Sequence, residues 1–258
     1  MCKKAILVVS FGTSHNETRK KTIEQIEKDI GETYPEFKIY RAFTSNMIIN
    51  ILKRRDGMIV NTVTEAMEQM YMDGIDEVIV QPTHIINGIE NDNMIVAIQN
   101  WRSRFRSVKI GTPLLTSMQD YYEVITGLVS ELPVIQKDEA VVYMGHGTTH
   151  YSNTSYAALE YMFRDYGHED IYVATVEAYP ALENVIKQLK KKNYKKVILI
   201  PFMIVSGDHA QNDMAGSEES SWKTRLESQG YEVRCSLKGL GEYKSIRNIF
   251  TGHVAKAN

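Results

Sequence analysis

The sequence predicts an α/β fold of two similar Rossmann-like lobes, each with a four-stranded parallel sheet flanked by helices. Three features carry this: eight short β-branched runs, stretches of helical period between them, and an internal repeat. The runs cover residues 5–10, 37–43, 77–82 and 108–111, then 140–144, 171–176, 196–201 and 231–235. Strand alternating with helix implies parallel pairing, since parallel neighbours need a crossover between them.

Between the strands, Ile23, Ile26 and Ile30 recur at helical spacing after Ser14-x-x-Glu17, and Val63, Met67 and Met70 do so after Thr62-x-x-Glu65. Both four-residue patterns read as capping boxes, and both apolar stripes as core. Lys190, Lys191 and Lys192, with Lys195 and Lys196, fall at a helix C-terminus, where cations complement the dipole; they read as a solvated end.

The repeat sets the organisation. Ala5-Ile-Leu-Val-Val-Ser-Phe-Gly-Thr-Ser-His15 matches Ala140-Val-Val-Tyr-Met-Gly-His-Gly-Thr-Thr-His150 at an offset of 135 positions. Pro82 followed by Gly88 likewise matches Pro201 followed by Gly207. The chain is therefore expected to divide into an N-terminal lobe, 1–134, and a C-terminal lobe, 135–258, with one cleft between them. In open α/β sheets the ligand crevice lies beyond the carboxyl ends of the strands, so the residues after each strand are the candidates for chemistry.

Composition excludes some partners. Thirty basic against thirty-two acidic residues leave a net charge of −2, which gives no global field for nucleic acid or a membrane surface. No apolar run approaches the ~20 residues of a membrane span, and the apolar start is too short for a signal peptide, so the protein is expected to be cytoplasmic. Cys2 and Cys235 form no C-x-x-C pair, and Cys235 reads as a core residue.

Three ligand-type residues stand after three successive strands: His146 after the fifth, Glu177 after the sixth and His209 after the seventh. Neighbouring strands lie ~4.8 Å apart, so these side chains can converge on one ion. Each alone reads as an ordinary turn or surface residue; together they make a nitrogen and oxygen donor set suited to divalent Co, Ni, Fe or Zn. No His-Glu-x-x-His occurs, and no Gly-x-x-x-x-Gly-Lys loop, so ATP is not expected. In the first lobe Phe11 replaces His146, and Ser10, Phe11, Thr13 and Ser14 are expected to face a flat ligand and its carboxylates. His84 and Glu90 are expected in the same cleft as catalytic groups. His15, His150, His168 and His253 are expected to face solvent.

The segments Ser10-Phe-Gly-Thr-Ser14, Arg41-Ala-Phe-Thr-Ser45, His84-Ile-Ile-Asn-Gly88, Met144-Gly-His-Gly147, Val176-Glu-Ala-Tyr-Pro180 and Gly207-Asp-His-Ala-x-Asn-Asp-Met214 resemble those of the anaerobic sirohydrochlorin cobaltochelatases of early cobalt insertion. The likeness extends to Ser221-Trp-Lys223 and Gly239-Leu-Gly241 and spans nearly the whole chain. It implies a class II chelatase fold and an ATP-independent lyase that inserts Co2+ into sirohydrochlorin, a precorrin-2-type tetrapyrrole, in cobalamin biosynthesis. It places the metal ligands on His146, Glu177 and His209. Relatives of this fold also insert iron or nickel, and some bind haem. Sirohydrochlorin carries eight carboxylates, for which Arg41, Lys53, Arg54 and Arg55 are candidate partners. A metal or tetrapyrrole carrier without catalysis and a metal-dependent hydrolase are the competing readings. A homo-oligomer is compatible with the sequence, two-fold assembly being commonest.

Overall fold

The computed structural model describes residues 2–257. Four strands, β1 (Lys4–Ser10), β2 (Lys38–Phe43), β3 (Glu77–Pro82) and β4 (Ser107–Ile110), form one parallel sheet in the order β2-β1-β3-β4. Four more, β5 (Glu139–Gly145), β6 (Ile171–Thr175), β7 (Lys196–Pro201) and β8 (Glu232–Cys235), form a second in the equivalent order β6-β5-β7-β8. Every expected strand is present within a residue or so of its predicted ends. The register repeats too: Val9 lies opposite Pro82 in the first sheet, and Met144 opposite Pro201 in the second.

Ten helices connect these strands among the described residues: α1 (Asn16–Lys21), α2 (Ile23–Thr33), α3 (Asn46–Asp56), α4 (Val63–Met72), α5 (Ile89–Gln99), α6 (Met118–Glu131), α7 (Thr154–Asp165), α8 (Leu182–Leu189), α9 (Trp222–Glu227) and α10 (Lys244–Ala255). The capping box at Thr62 forms as expected, with Thr62 and Glu65 bonding reciprocally. The one expected at Ser14 does not. There the chain makes a tighter turn in which Thr13 Oγ1 accepts from the His15 amide, the helix starts after His15, and it breaks again at Thr22.

Alternating residues of the central strands face two cores. Ile6, Val8, Val141, Tyr143, Ile198 and Ile200 point inward and share one continuous apolar cluster with α2, α6, α7 and α10. Ala5, Leu7 and Val9 meet α4 and α5 on the outside of the first sheet, while Ala140, Val142 and Met144 meet α8 and α9 outside the second. Each sheet thus lies between its own outer helices and one inner helical layer that both sheets share. Cys235 is only partly buried, at the margin of the third of these clusters.

The last helix returns to the first sheet. Ile246, Ile249, Phe250 and Val254 of α10 enter the shared core beside α2 and α6, and Lys244 and Arg247 both bind Asp29 of α2, at 2.9 and 2.6 Å. His253, expected on the surface, is instead buried: its Nε2 lies 2.8 Å from Asp120 Oδ1 and its Nδ1 2.9 Å from the Thr112 carbonyl. Burial pushes the Asp120 carboxyl up, but the bonds from His253 and Ser117 outweigh it and hold the group below its ordinary range. His84, just past β3, is also buried; neither ring nitrogen is hydrogen-bonded, and burial lowers its pKa to about 4.

Two stability effects follow. Asp120→Ala strands a buried imidazole and is expected to cost about 3–5 kcal/mol in urea unfolding; a loss within error of zero contradicts the pairing. His84 binds a proton more readily in the unfolded chain than in the native one. Its neutral burial is therefore tolerated in full above the unfolded value and destabilises progressively as pH falls toward about 4. Between pH ~7 and ~5 the wild type should lose about 2 kcal/mol through this group, a loss that His84→Leu removes.

Candidate metal centre

The carboxyl edge of the second sheet brings three ligand-type residues together. His146 is the first residue past β5, and pairing between β5 and β6 continues beyond the strands: Val176 N donates to the Gly145 carbonyl at 3.0 Å and Glu177 N to the His146 carbonyl at 2.9 Å. His146 and Glu177 are therefore side by side because their backbones are. The turn that follows needs glycine. Gly147 has φ +88°, and a Cβ there would meet Thr175 Cβ at 2.9 Å and the Ala178 amide nitrogen at 3.0 Å. The segment after β6 folds back so that Pro180 O accepts from the Thr175 amide at 2.6 Å and hydroxyl at 3.1 Å.

His209 arrives by a longer route. The segment after β7 is tied down by Leu240 N bonding to Met203 O at 2.8 Å and Gly241 N to Ile204 O at 3.0 Å. A Cβ on Gly239 would stand 2.7 Å from the Ile204 carbonyl, so this close approach also requires glycine. The chain then enters a single widened helical turn, a π-helix over His209–Met214, which starts with His209.

One ligand atom from each of His146, Glu177 and His209 lies within 4.8 Å of the others. His146 Nδ1 is 3.6 Å from Glu177 Oε2, and the two imidazole rings meet edge to face with centroids 4.6 Å apart. All three remain open to solvent, with side-chain exposures of 43, 55 and 36%. His146 Nδ1 is 2.9 Å from the Gly147 carbonyl, which as an acceptor selects the tautomer with a lone pair on Nε2. Two nitrogens and a carboxylate so arranged can hold a divalent cation and leave positions free for other donors.

The other expected site residues are placed as follows. Phe11 stands at the position equivalent to His146 and is 46% exposed, and Ser14 is half-buried. Ser10 and Thr13 are buried: Ser10 Oγ accepts from Thr83 at 2.8 Å and Thr13 Oγ1 from the His15 amide at 3.2 Å. Arg41 forms a bidentate pair with Glu27 and lies 3.6 Å from Glu24, so its guanidinium is engaged inside its own lobe. Arg55 is held by Asp56 and the Ser14 carbonyl. Glu90 is half-buried in the first turn of α5, while His84 is enclosed.

Two histidines read as solvent-facing instead bridge the cleft. His15 Nε2 is 2.9 Å from Asp208 Oδ1, and His150 Nε2 is 3.3 Å from Asp92 Oδ2. His15 and His150 are equivalent in the repeat, and each reaches an acid beyond the third strand of the opposite sheet. The offset was the signal that could have found them. His168 is partly exposed.

Comparison with known proteins agrees with this architecture. The cobalt chelatase (CbiK) family model matches residues 4–258. A sirohydrochlorin cobaltochelatase of Salmonella typhimurium is 39% identical over 255 residues, covering 99% of this chain and 96% of that protein. Sirohydrochlorin cobaltochelatase CbiKC of Nitratidesulfovibrio vulgaris is 33% identical, covering 100% and 91%. Among solved structures, SirB from Bacillus subtilis with Fe3+ superposes with a TM-score of 0.70 at 16% identity, covering 98% of this chain and 95% of that one. CbiX, the terminal enzyme of siroheme biosynthesis in denitrifying bacteria, does so at 0.57 and 12% identity, covering 99% and 100%. These two share the fold, two four-stranded parallel sheets with flanking helices; from the match over nearly its whole length, the chain belongs to the cobalt chelatase (CbiK) family.

Proposed function

We propose that the protein is a sirohydrochlorin cobaltochelatase in which His146, Glu177 and His209 present Co2+ to the macrocycle. The observation that carries this reading is the convergence of three donors within 4.8 Å at the carboxyl edge of one sheet, in a chain of this family. In this reading the lobe of residues 135–258 holds the ion, and the lobe of residues 1–134 faces the tetrapyrrole. Phe11, exposed where the second lobe has His146, suits an apolar ring face.

Insertion exchanges the ion's water and protein ligands for four pyrrole nitrogens and releases two N–H protons. Glu177 supplies the one anionic donor and offsets part of the dication's charge. An imidazole that gives up the metal regains a free lone pair, so His146 can take one of the protons, and Glu90 is the second candidate acceptor. His84 has no exposed nitrogen, which favours a part in the fold. Lys53 and Arg54, exposed near the end of α3, remain the candidates for substrate carboxylates. No step needs a nucleotide, and the reaction is read as ATP-independent and cytoplasmic.

His146→Ala, Glu177→Ala and His209→Ala are each expected to reduce cobalt insertion at least about 100-fold with an unchanged unfolding midpoint. Wild-type turnover, followed by the absorbance change of sirohydrochlorin, would remove that residue from the site. Metal choice should be loose in isolation: by the Irving–Williams order Ni2+ is expected to bind more tightly than Co2+ in competition titrations, and exclusion of Ni2+ would sink the assignment of an unconstrained donor set.

A further inference from the structure

A second carboxylate stands behind the metal centre. Asp213 lies four residues after His209 on the same π-helix, and its Oδ2 is 2.6 Å from His209 Nδ1. Asp213 has no other ion-pair partner among the described residues, and its side chain is half exposed. Between solvated groups such a contact stabilises a fold by little, about 0–1 kcal/mol. Its geometry matters more for the ring it touches. The carboxylate accepts the Nδ1 proton, which puts the neutral imidazole's lone pair on Nε2 and fixes the ring's rotation about its own bond to the helix. The ring so held packs edge to face on His146.

From this we infer that Asp213 is a positioning residue for cobalt binding: it acts through His209, setting its tautomer and orientation and raising the basicity of Nε2. The inference rests on the reading of His209 as a metal ligand. The two imidazoles are then oriented by the same device with different groups. His146 uses the carbonyl of Gly147, which no substitution removes, whereas His209 uses a side chain. The π-helix bears on this, because its widened turn carries the fourth residue round to nearly above the first, with the Asp213 carboxylate over the His209 ring edge.

The test is Co2+ alone, titrated against a chelator into the full-length wild-type protein and four variants, with the visible absorption of bound Co2+ as a second readout. Asp213→Ala is expected to weaken Co2+ binding about 10- to 100-fold and to alter the Co2+ spectrum, with the unfolding midpoint nearly unchanged. Asp213→Asn keeps an acceptor but loses the charge, and should fall between Ala and wild type. His209→Ala should lose binding outright, and the double variant His209→Ala/Asp213→Ala should be no worse than His209→Ala. Wild-type affinity in Asp213→Ala, with binding lost in His209→Ala, overturns the positioning role and leaves the metal site standing. Independent losses that add in the double variant also overturn it, because Asp213 would then meet the ion directly. Wild-type affinity in His209→Ala would remove the metal-site reading itself and this inference with it.

Discussion

The cleft depends on a single apolar layer shared by both sheets. Ile6 and Val8 from one sheet and Val141, Tyr143, Ile198 and Ile200 from the other face the same cluster of helices. Each such buried side chain contributes about 1.5–3 kcal/mol relative to exposure. Because that layer is close-packed, the distance and angle between the sheets are fixed by side-chain volume and not by the loops at the cleft. The loops can then carry polar and exposed groups without having to hold the molecule together. The donors after β5, β6 and β7 inherit the spacing of the strands beneath them, and the strands inherit theirs from this core.

That division of labour explains what could be read from the sequence. Strands and apolar stripes are local patterns with a fixed period, so all eight strands were legible and the two-sheet repeat with them. The three donors were legible because each follows a strand of one parallel sheet, whose carboxyl ends share one edge; the order β6-β5-β7 then sets His146 between the other two. Groups whose partners are distant in sequence were not. His253 has the composition of a surface histidine near a helix end, and only the return of α10 against Asp120 buries it. His15 and His150 find Asp208 and Asp92 through the pairing of lobes. Arg41 looked free because Glu27 lies on a helix whose rotation the sequence leaves open. Ser10 and Thr13 were read as reaching outward, but the turn after β1 directs both hydroxyls into the backbone and Thr83. Asp213 stood inside a segment already singled out, and went without a role because a four-residue spacing brings side chains together only where the segment is helical, which the sequence after β7 left open.

In the role proposed for it, the donor set also reflects a conflict in the chemistry. A site that only stored cobalt would gain from burial, a fourth protein ligand and thiolates. A site that must surrender the ion gains from the opposite. Three donors, one of them anionic and all of them partly exposed, leave room for water and for incoming nitrogens, and exposure to solvent moderates the attraction of Glu177 for the cation. Affinity is limited by the same openness that permits transfer.

The path of α10 has a consequence for biosynthesis. The first sheet and its helices are complete in sequence by Glu131, yet the apolar groove between α2 and α6 is filled by residues beginning at Lys244. At about 5–20 residues per second, translation leaves that groove open for on the order of ten seconds. During this interval the nascent first half exposes Ile26, Ile30, Tyr121 and Val124 to the cell, together with the carboxylates of Asp29 and Asp120 that later bind Arg247 and His253. Two acids at the margin of an unfilled apolar groove keep charge at a surface that would otherwise invite association, and the same two acids then receive the helix that closes it.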